Sequence, residues 1–338
     1  MRKPTLTDVA QIAGVSAVTV SYVLNGRRKG PDRISAETKE RVLKAAAELN
    51  YVPNLIARDL RRKATRRICL SVPRLGVPTY DTIAEQLQDS ALNAGYHLIV
   101  SLSRDGDEQS NLVQQVQAGL ADGLVLIAED SRHETRAELL DTLSRSGSAV
   151  VVFDNLIEPR GFDVVRNTDL AACYDAVKWL LESGRARVAC LAIRDGSGVL
   201  HERVDSYYRA LKDADLTPQA ELVVAGAETR QGAYKQTERL LELPQVPDAI
   251  FACTDVAALS AIRAIQDRGL RVPEDVAVIG AGNIIEGTLS NPPLTSVGPD
   301  EHDYKPVFDF LLTRLNSKSS LPGRELITTW SLKLRASA

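Results

Sequence analysis

The chain has 338 residues, four cysteines, four histidines and a formal net charge of −3. No apolar run approaches the length of a membrane span, and no amino-terminal apolar stretch suggests secretion, so a cytoplasmic protein is expected. The mild net charge conceals a division: residues 1–67 carry 15 Lys and Arg against 6 Asp and Glu, while the remainder carries 26 against 38. A basic head on an acidic body points to a polyanionic partner for the head alone. A merely solvated basic tail fits poorly, because the head also has core-forming periodicity.

In chain order, Thr5 to Gly26 (TLTDVAQIAGVSAVTVSYVLNG) predicts two short amphipathic helices around a tight turn. Thr5 and Asp8 have capping-box spacing, and Val9, Ile12 and Ala13 give the first helix an apolar face. Gly14 supplies the turn, and Ser16 caps a second helix bearing Val20, Val23 and Leu24. This geometry lays a second helix into a major groove, although spacing alone is equally compatible with plain packing. The loop Arg27-Arg28-Lys29-Gly30-Pro31-Asp32-Arg33 carries four cations in seven residues. It either extends a phosphate footprint or is a solvated loop tip.

A third helix is predicted from Ser35 to Asn50, with Val42, Leu43, Ala46 and Leu49 inward. Pro53 breaks the chain direction after Tyr51-Val52. The segment from Asn54 to Arg62 is then a helical stub too short to stand alone in water. DNA and a partner chain would be needed to order it.

The segments TDVAQIAGVSAVTVSYVLNG, ISAETKERVLKAAAELNYVPN and ARDL together resemble the LacI/GalR family of bacterial transcriptional regulators, and the likeness extends over the whole chain. The resemblance implies that the stub is a hinge helix entering the minor groove, with Leu60 wedged between base pairs. An apolar wedge of this kind unstacks a base step and bends the duplex. It also implies base contacts at Ala17, Val18 and Tyr22. The first two offer only apolar contact, and Tyr22 lacks the bidentate fork that selects guanine. Packing of Tyr22 on the third helix is the other reading. Thr19 and Ser21 are assigned to phosphates, which position without specifying. The DNA-contact set is completed by Thr5, Ser16, Asn25, Arg27, Arg28, Tyr51, Asn54, Ala57 and Arg58.

From Ile68 onward the texture changes. ICLSVP, HLIVS, GLVLI, AVVVF, RVACLA, AIFA and VAVIG are buried-strand segments alternating with amphipathic stretches such as Asp81–Ala94, Arg136–Ser146, Ala171–Ser183 and Glu202–Ala214. Gly95, Gly147, Gly184 and Gly269 sit where helices would hand over to strands. The pattern predicts doubly wound parallel sheets in two lobes. The expected fold is therefore α/β, an all-α helix-turn-helix domain followed by a two-lobed, periplasmic-binding-protein-like effector domain. Its boundaries are residues 1–63, with a hinge helix at about 54–62, and residues 64–338. The first lobe is placed at about 64–163 plus 293–320, the second at about 164–292 plus 321–338.

The resemblance puts a ligand between the lobes, near strand carboxyl ends. Asp154 matches a family Asp that binds ligand hydroxyls, and Arg203 a family Arg that reaches effectors. Two positions depart from the pattern: Thr254 stands where Asn is usual, and Gly282 replaces a carboxylate that grips a sugar. The effector is accordingly a sugar, another small metabolite, or absent. The glycine-containing loop from Arg194 to Gly198 is a weak dinucleotide match and reads as a turn beside the cleft.

No cofactor, metal or catalytic constellation is expected: the histidines are scattered, there is no CxxC pair, and Cys69, Cys190 and Cys253 read as buried reduced thiols. The reading is a non-enzymatic, DNA-binding regulator, a repressor acting as a homodimer on a pseudo-palindromic operator of double-stranded DNA. No membrane is involved. The absence of trailing leucine heptads after Leu332–Ala338 favours a dimer over a tetramer. The alternatives are a periplasmic-type solute-binding protein without DNA function, and an α/β enzyme.

Overall fold

The computed structural model describes residues 4–24, 34–52, 64–128, 133–193, 199–227, 229–317 and 319–338. The chain divides into two compact units, Met1–Thr65 and Arg66–Ala338.

In the first unit, α1 (Leu6–Ala13) starts at a capping box. The Thr5 hydroxyl accepts the Asp8 N–H at 3.3 Å, and the Asp8 carboxylate accepts the Thr5 N–H at 2.7 Å. Both bonds satisfy amides that a helix start leaves without partners. Gly14, at φ +63°, ends α1 in a conformation most side chains avoid. The chain then turns through 103° into α2 (Ala17–Leu24), where Ser16 Oγ accepts the Thr19 N–H at 3.1 Å. The third helix, α3 (Ala36–Glu48), is capped by Ser35 and closed by Asn50 at φ +47°, with Tyr51 N–H donating back to Ala46. Val9, Ala10, Ala13, Val20, Val42, Ala45 and Ala46 form the core of this unit. Ile12 and Leu43, expected inward, are instead 52% and 55% exposed. Ala10 and Ala45 hold the contact positions, and their short side chains turn the packed stripe away from the bulkier neighbours.

The second unit runs β1 (Arg67–Val72), α4 (Pro78–Asn93), β2 (His97–Leu102), α5 (Gly106–Gln117), β3 (Gly123–Ile127), α6 (His133–Arg145), β4 (Ala149–Phe153) and β5 (Asp163–Asn167). It continues through α7 (Asp169–Glu182), β6 (Val188–Leu191), α8 (Val199–Asp213), β7 (Val223–Val224), α9 (Arg230–Leu241), β8 (Ala249–Ala252) and α10 (Asp255–Asp267). Then come β9 (Ala277–Ala281), α11 (Ile285–Thr288), β10 (Thr295–Gly298), α12 (Lys305–Asn316), β11 (Glu325–Thr328) and β12 (Ser331–Lys333).

These strands make two six-stranded sheets, ordered β11-β5-β4-β3-β1-β2 and β12-β10-β9-β8-β6-β7. Among the described residues every pairing is parallel except β10 with β12, an antiparallel edge the sequence pattern did not suggest. Helices cover both faces of each sheet. That double coverage is why the central strands read as continuous apolar runs. Gly95, Gly147, Gly184 and Gly269 all have φ between +76° and +97° at helix ends, as their placement predicted.

The crossings between lobes fall later than the expected boundaries. The strand expected as the break, β5, pairs with β4 and β11 in the first sheet. In the segment expected to have returned to the first lobe, β10 pairs instead with β9 in the second sheet. The strand β11, expected in the second lobe, lies in the first. These short strands carry only one or two consecutive apolar residues, so pairing rather than pattern decides their lobe. Buried Asp163 clamps this arrangement. It accepts from Arg314 at 2.6 and 2.7 Å and from Arg324 at 2.7 Å, joining β5 to α12 and to the approach of β11. Burial would raise its pKa, but the two guanidinium groups outweigh that and hold it below the usual carboxylate range.

Candidate functional site

Two sites emerge, one in each unit. On α2, Val20 is buried in the head core, with Ala17, Val23 and Leu24 packed partly against it. Helical spacing puts Val18 and Tyr22 on the opposite face, and Val18 is 64% exposed. Tyr22 is half-buried, Ser16 exposed, and Thr19 and Ser21 half-buried. The Thr19 hydroxyl shares a 2.9 Å hydrogen bond with that of Ser16. Thr5 is held in the capping box. Tyr51 follows α3 half-buried, its hydroxyl pKa raised by burial. Asn25, Arg27, Arg28, Asn54, Ala57, Arg58 and Leu60, together with the expected hinge helix and the loop Arg194 to Gly198, lie outside the described residues.

In the second unit a cleft lies between the carboxyl ends of the two sheets, beside the points where strand order reverses, β1/β3 and β6/β8. Such edges leave backbone groups and loop side chains free to meet a ligand. Asp154, Arg203, Thr254 and Gly282 all line this one cleft. Their hydrogen bonds within the protein set what each can offer a ligand.

Asp154, at the end of β4, has its carboxylate engaged within its own lobe. It accepts from Arg136 at 2.6 Å and from the N–H groups of Leu156 and Ile157 at 2.8 and 3.0 Å. His133 Nδ1 lies 2.9 Å from it as well. Thr254 caps α10, its hydroxyl accepting the Ala257 N–H at 3.2 Å. Gly282 sits at φ +142°, so an aspartate there would be strained, and the missing carboxylate is a backbone requirement of this loop as well as a lost side chain.

Arg203, on α8, is 7% exposed. Its Nε donates to Asp169 at 2.8 Å and its Nη1 to the Cys253 carbonyl at 2.8 Å, while the guanidinium lies over the Trp330 ring, 5.1 Å from its centroid. Burial works against its charge, but Asp169 outweighs this and raises its pKa. Asp169 also accepts from Asn155 at 3.2 Å, linking Arg203 to the first lobe.

Among the cleft residues given no role from the sequence are Asp255, Trp330 and Tyr304. Asp255 follows Thr254 directly and is almost wholly buried; its oxygens accept from Ser296 Oγ at 2.6 Å and Ile284 N–H at 2.9 Å. Burial pushes its pKa up to about 6, although both hydrogen bonds pull the other way. Its position after an apolar strand was a usable signal. Trp330 and Tyr304 come from crossing segments, which no local pattern marks. All four cysteines are free and buried; Cys173, on α7, joins Cys190 and Cys253 in one core cluster. Among the described residues no group of His, Cys, Asp and Glu is arranged for a metal, and no single helix is long and apolar enough to cross a membrane.

A helix-turn-helix head followed by a two-lobed body with an interlobe cleft defines a ligand-responsive DNA-binding regulator. The family model for bacterial regulatory proteins of the lacI family matches residues 5–54, and that for the periplasmic binding protein-like domain matches residues 177–338. The HTH-type transcriptional repressor PurR of Aliivibrio salmonicida is 31% identical over 316 residues, 93% of each chain. The HTH-type transcriptional repressor CytR of Escherichia coli is 30% identical over 300 residues, 88% of this chain and 86% of that one. The lac repressor dimer bound to operator and the anti-inducer ONPF superposes with a TM-score of 0.77 at 26% identity, covering 99% of each chain. The chain belongs to the lacI family: it is a DNA-binding transcriptional regulator of the repressor type, not an enzyme.

Proposed function

We propose that the protein is a cytoplasmic, homodimeric repressor that binds a pseudo-palindromic operator and is controlled by a small molecule, a sugar or another metabolite, in the interlobe cleft. The head, placed at residues 1–63, reads DNA with Val18 and Tyr22 of α2, and Leu60 of the hinge wedges into the minor groove. Half-sites are read with little Arg–guanine pairing, since neither residue carries a fork. Ligand in the cleft acts by favouring one arrangement of the two lobes over another, which changes how two heads are spaced.

The observations that support this reading are the capped head, where α2 leaves Val18 64% exposed, and the lined cleft in the second unit. A dimer is supported by apolar side chains left exposed on the body, Ile285 at 67% on α11 and Leu289 at 79% just after it, and Leu92, Val100 and Leu102 on the first lobe. Gel shift with genomic promoter fragments tests the proposal. Full-length protein should retard specific fragments, and protein lacking residues 1–63 should not; retained binding without the head rejects it.

A further inference from the structure

The polar groups around the cleft are unequally engaged. Both acids that line it already accept hydrogen bonds from the protein. Asp154 meets Arg136, two backbone amides and His133, and Asp255 meets Ser296 and Ile284. Burial also pushes Asp255 toward its neutral form, with a pKa of about 6. Thr254 Oγ1 caps a helix and Gly282 has no side chain. Asn155 and Asn167, further around the rim, are bonded to each other.

Arg203 differs. Nε and Nη1 are bonded, but Nη2 has no acceptor among the described residues, and the side chain lines the cleft. Asp169 on one side and the Trp330 ring beneath fix the direction of that remaining edge before any ligand arrives. Preorganised donors of this kind bind without further ordering cost. The walls nearby are flat or apolar: Tyr80, Phe153, Tyr304, Trp330, Ile83 and Ile127.

A polyhydroxylated sugar needs several acceptors for its hydroxyl protons, and the acids that would supply them are occupied. Arg74 and Arg166 line the cleft as well, and Nε and Nη2 of Arg166 are already bonded to Glu325, Glu158 and the Ile157 carbonyl. A single planar anion on an apolar body matches both the donor and the walls.

Taking the cleft as the effector site of the regulator, we infer that it accepts a small carboxylic acid with an aromatic or other flat ring. The carboxylate pairs with the open Arg203 edge, and the ring lies among Tyr80, Phe153, Tyr304 and Trp330. No bond is made or broken.

The test is calorimetric titration and Trp fluorescence of the full-length protein with benzoate, phenylacetate and cyclohexanecarboxylate, each beside its primary amide, and with glucose, ribose and adenosine. At least one acid should bind saturably and about tenfold tighter than its amide. Arg203→Lys keeps a cation beside Asp169 but loses the fork, so it should weaken that acid about tenfold with an unchanged circular dichroism spectrum. The acid-to-amide ratio is measured on the unaltered protein and stands even where the variant fails to fold. No acid binding, equal acid and amide binding, or a sugar or nucleoside bound tighter than every acid overturns the assignment. Operator affinity measured alongside separates the two readings. A sugar that releases DNA removes the acid and keeps the effector site, whereas an acid that binds without changing operator affinity keeps the acid and removes the effector role.

Discussion

Asp255 illustrates how burial and hydrogen bonding oppose each other at a single carboxyl. It sits at the start of α10, holding the Ile284 amide and the Ser296 hydroxyl, and burial still wins, leaving its pKa near 6. Because this is above the value of about 3.9 expected in an unfolded chain, the folded state binds the extra proton between those limits. Its contribution to stability is therefore complete below about pH 4 and lost as pH rises through about 6. Asp255→Asn cannot titrate. The stability of wild type relative to this variant should fall by about 2 kcal/mol from pH 4 to pH 7 and stay flat above. Thermal melts across that range measure it, and a pH-independent difference would contradict the burial argument. The neighbouring Gly282 carries a second residue-scale lesson. Its φ of +142° explains a glycine where the family resemblance leads one to expect an acid.

At the scale of elements, the two arginines on Asp163 join three segments far apart in sequence, β5, α12 and the start of β11. Removing one partner from a buried ion cluster leaves uncompensated charge. Asp163→Asn should cost about 3 kcal/mol at pH 7, read as a lower denaturation midpoint. Because the pKa is lowered, that stability is present above the usual carboxylate range and lost as pH falls through the lowered value, so the cost should shrink in strong acid. The basic loop between α2 and α3 gives a second element-scale expectation. Replacing Arg27, Arg28 and Lys29 together by Ala should flatten the dependence of log K on log salt by up to about 2.7, if all three meet phosphates. An unchanged slope in a filter-binding titration would make the loop a solvated tip.

For the whole molecule, the proposed function depends on two chains placing two heads on one operator. The exposed Ile285 and Leu289 are the apolar residues most in need of cover on the second lobe. Leu289→Arg should shift the sedimentation profile toward monomer and weaken operator binding by at least about tenfold, since each head then binds alone. A dimer unaffected by this change would place the interface elsewhere. The division of charge has the same logic: the basic head is drawn to DNA while the acidic body is repelled from it, which orients the approach.

The sequence alone determined the head and the α/β class. Capping spacing at Thr5 and Asp8, the Gly14 turn and the Ser16 and Ser35 caps are local, and local chemistry is written in consecutive residues. The long central strands were legible for the same reason, being buried on both faces. Tertiary structure decided which lobe β5, β10 and β11 join, because strand pairing is made between distant residues. It also decided that Asp154 is held by Arg136 while Arg203 keeps an open edge, and that Trp330 lies beneath it. Hydrogen-bond partners are a property of the packed chain, so residue identity could mark the cleft but not say which of its groups remain available to a ligand.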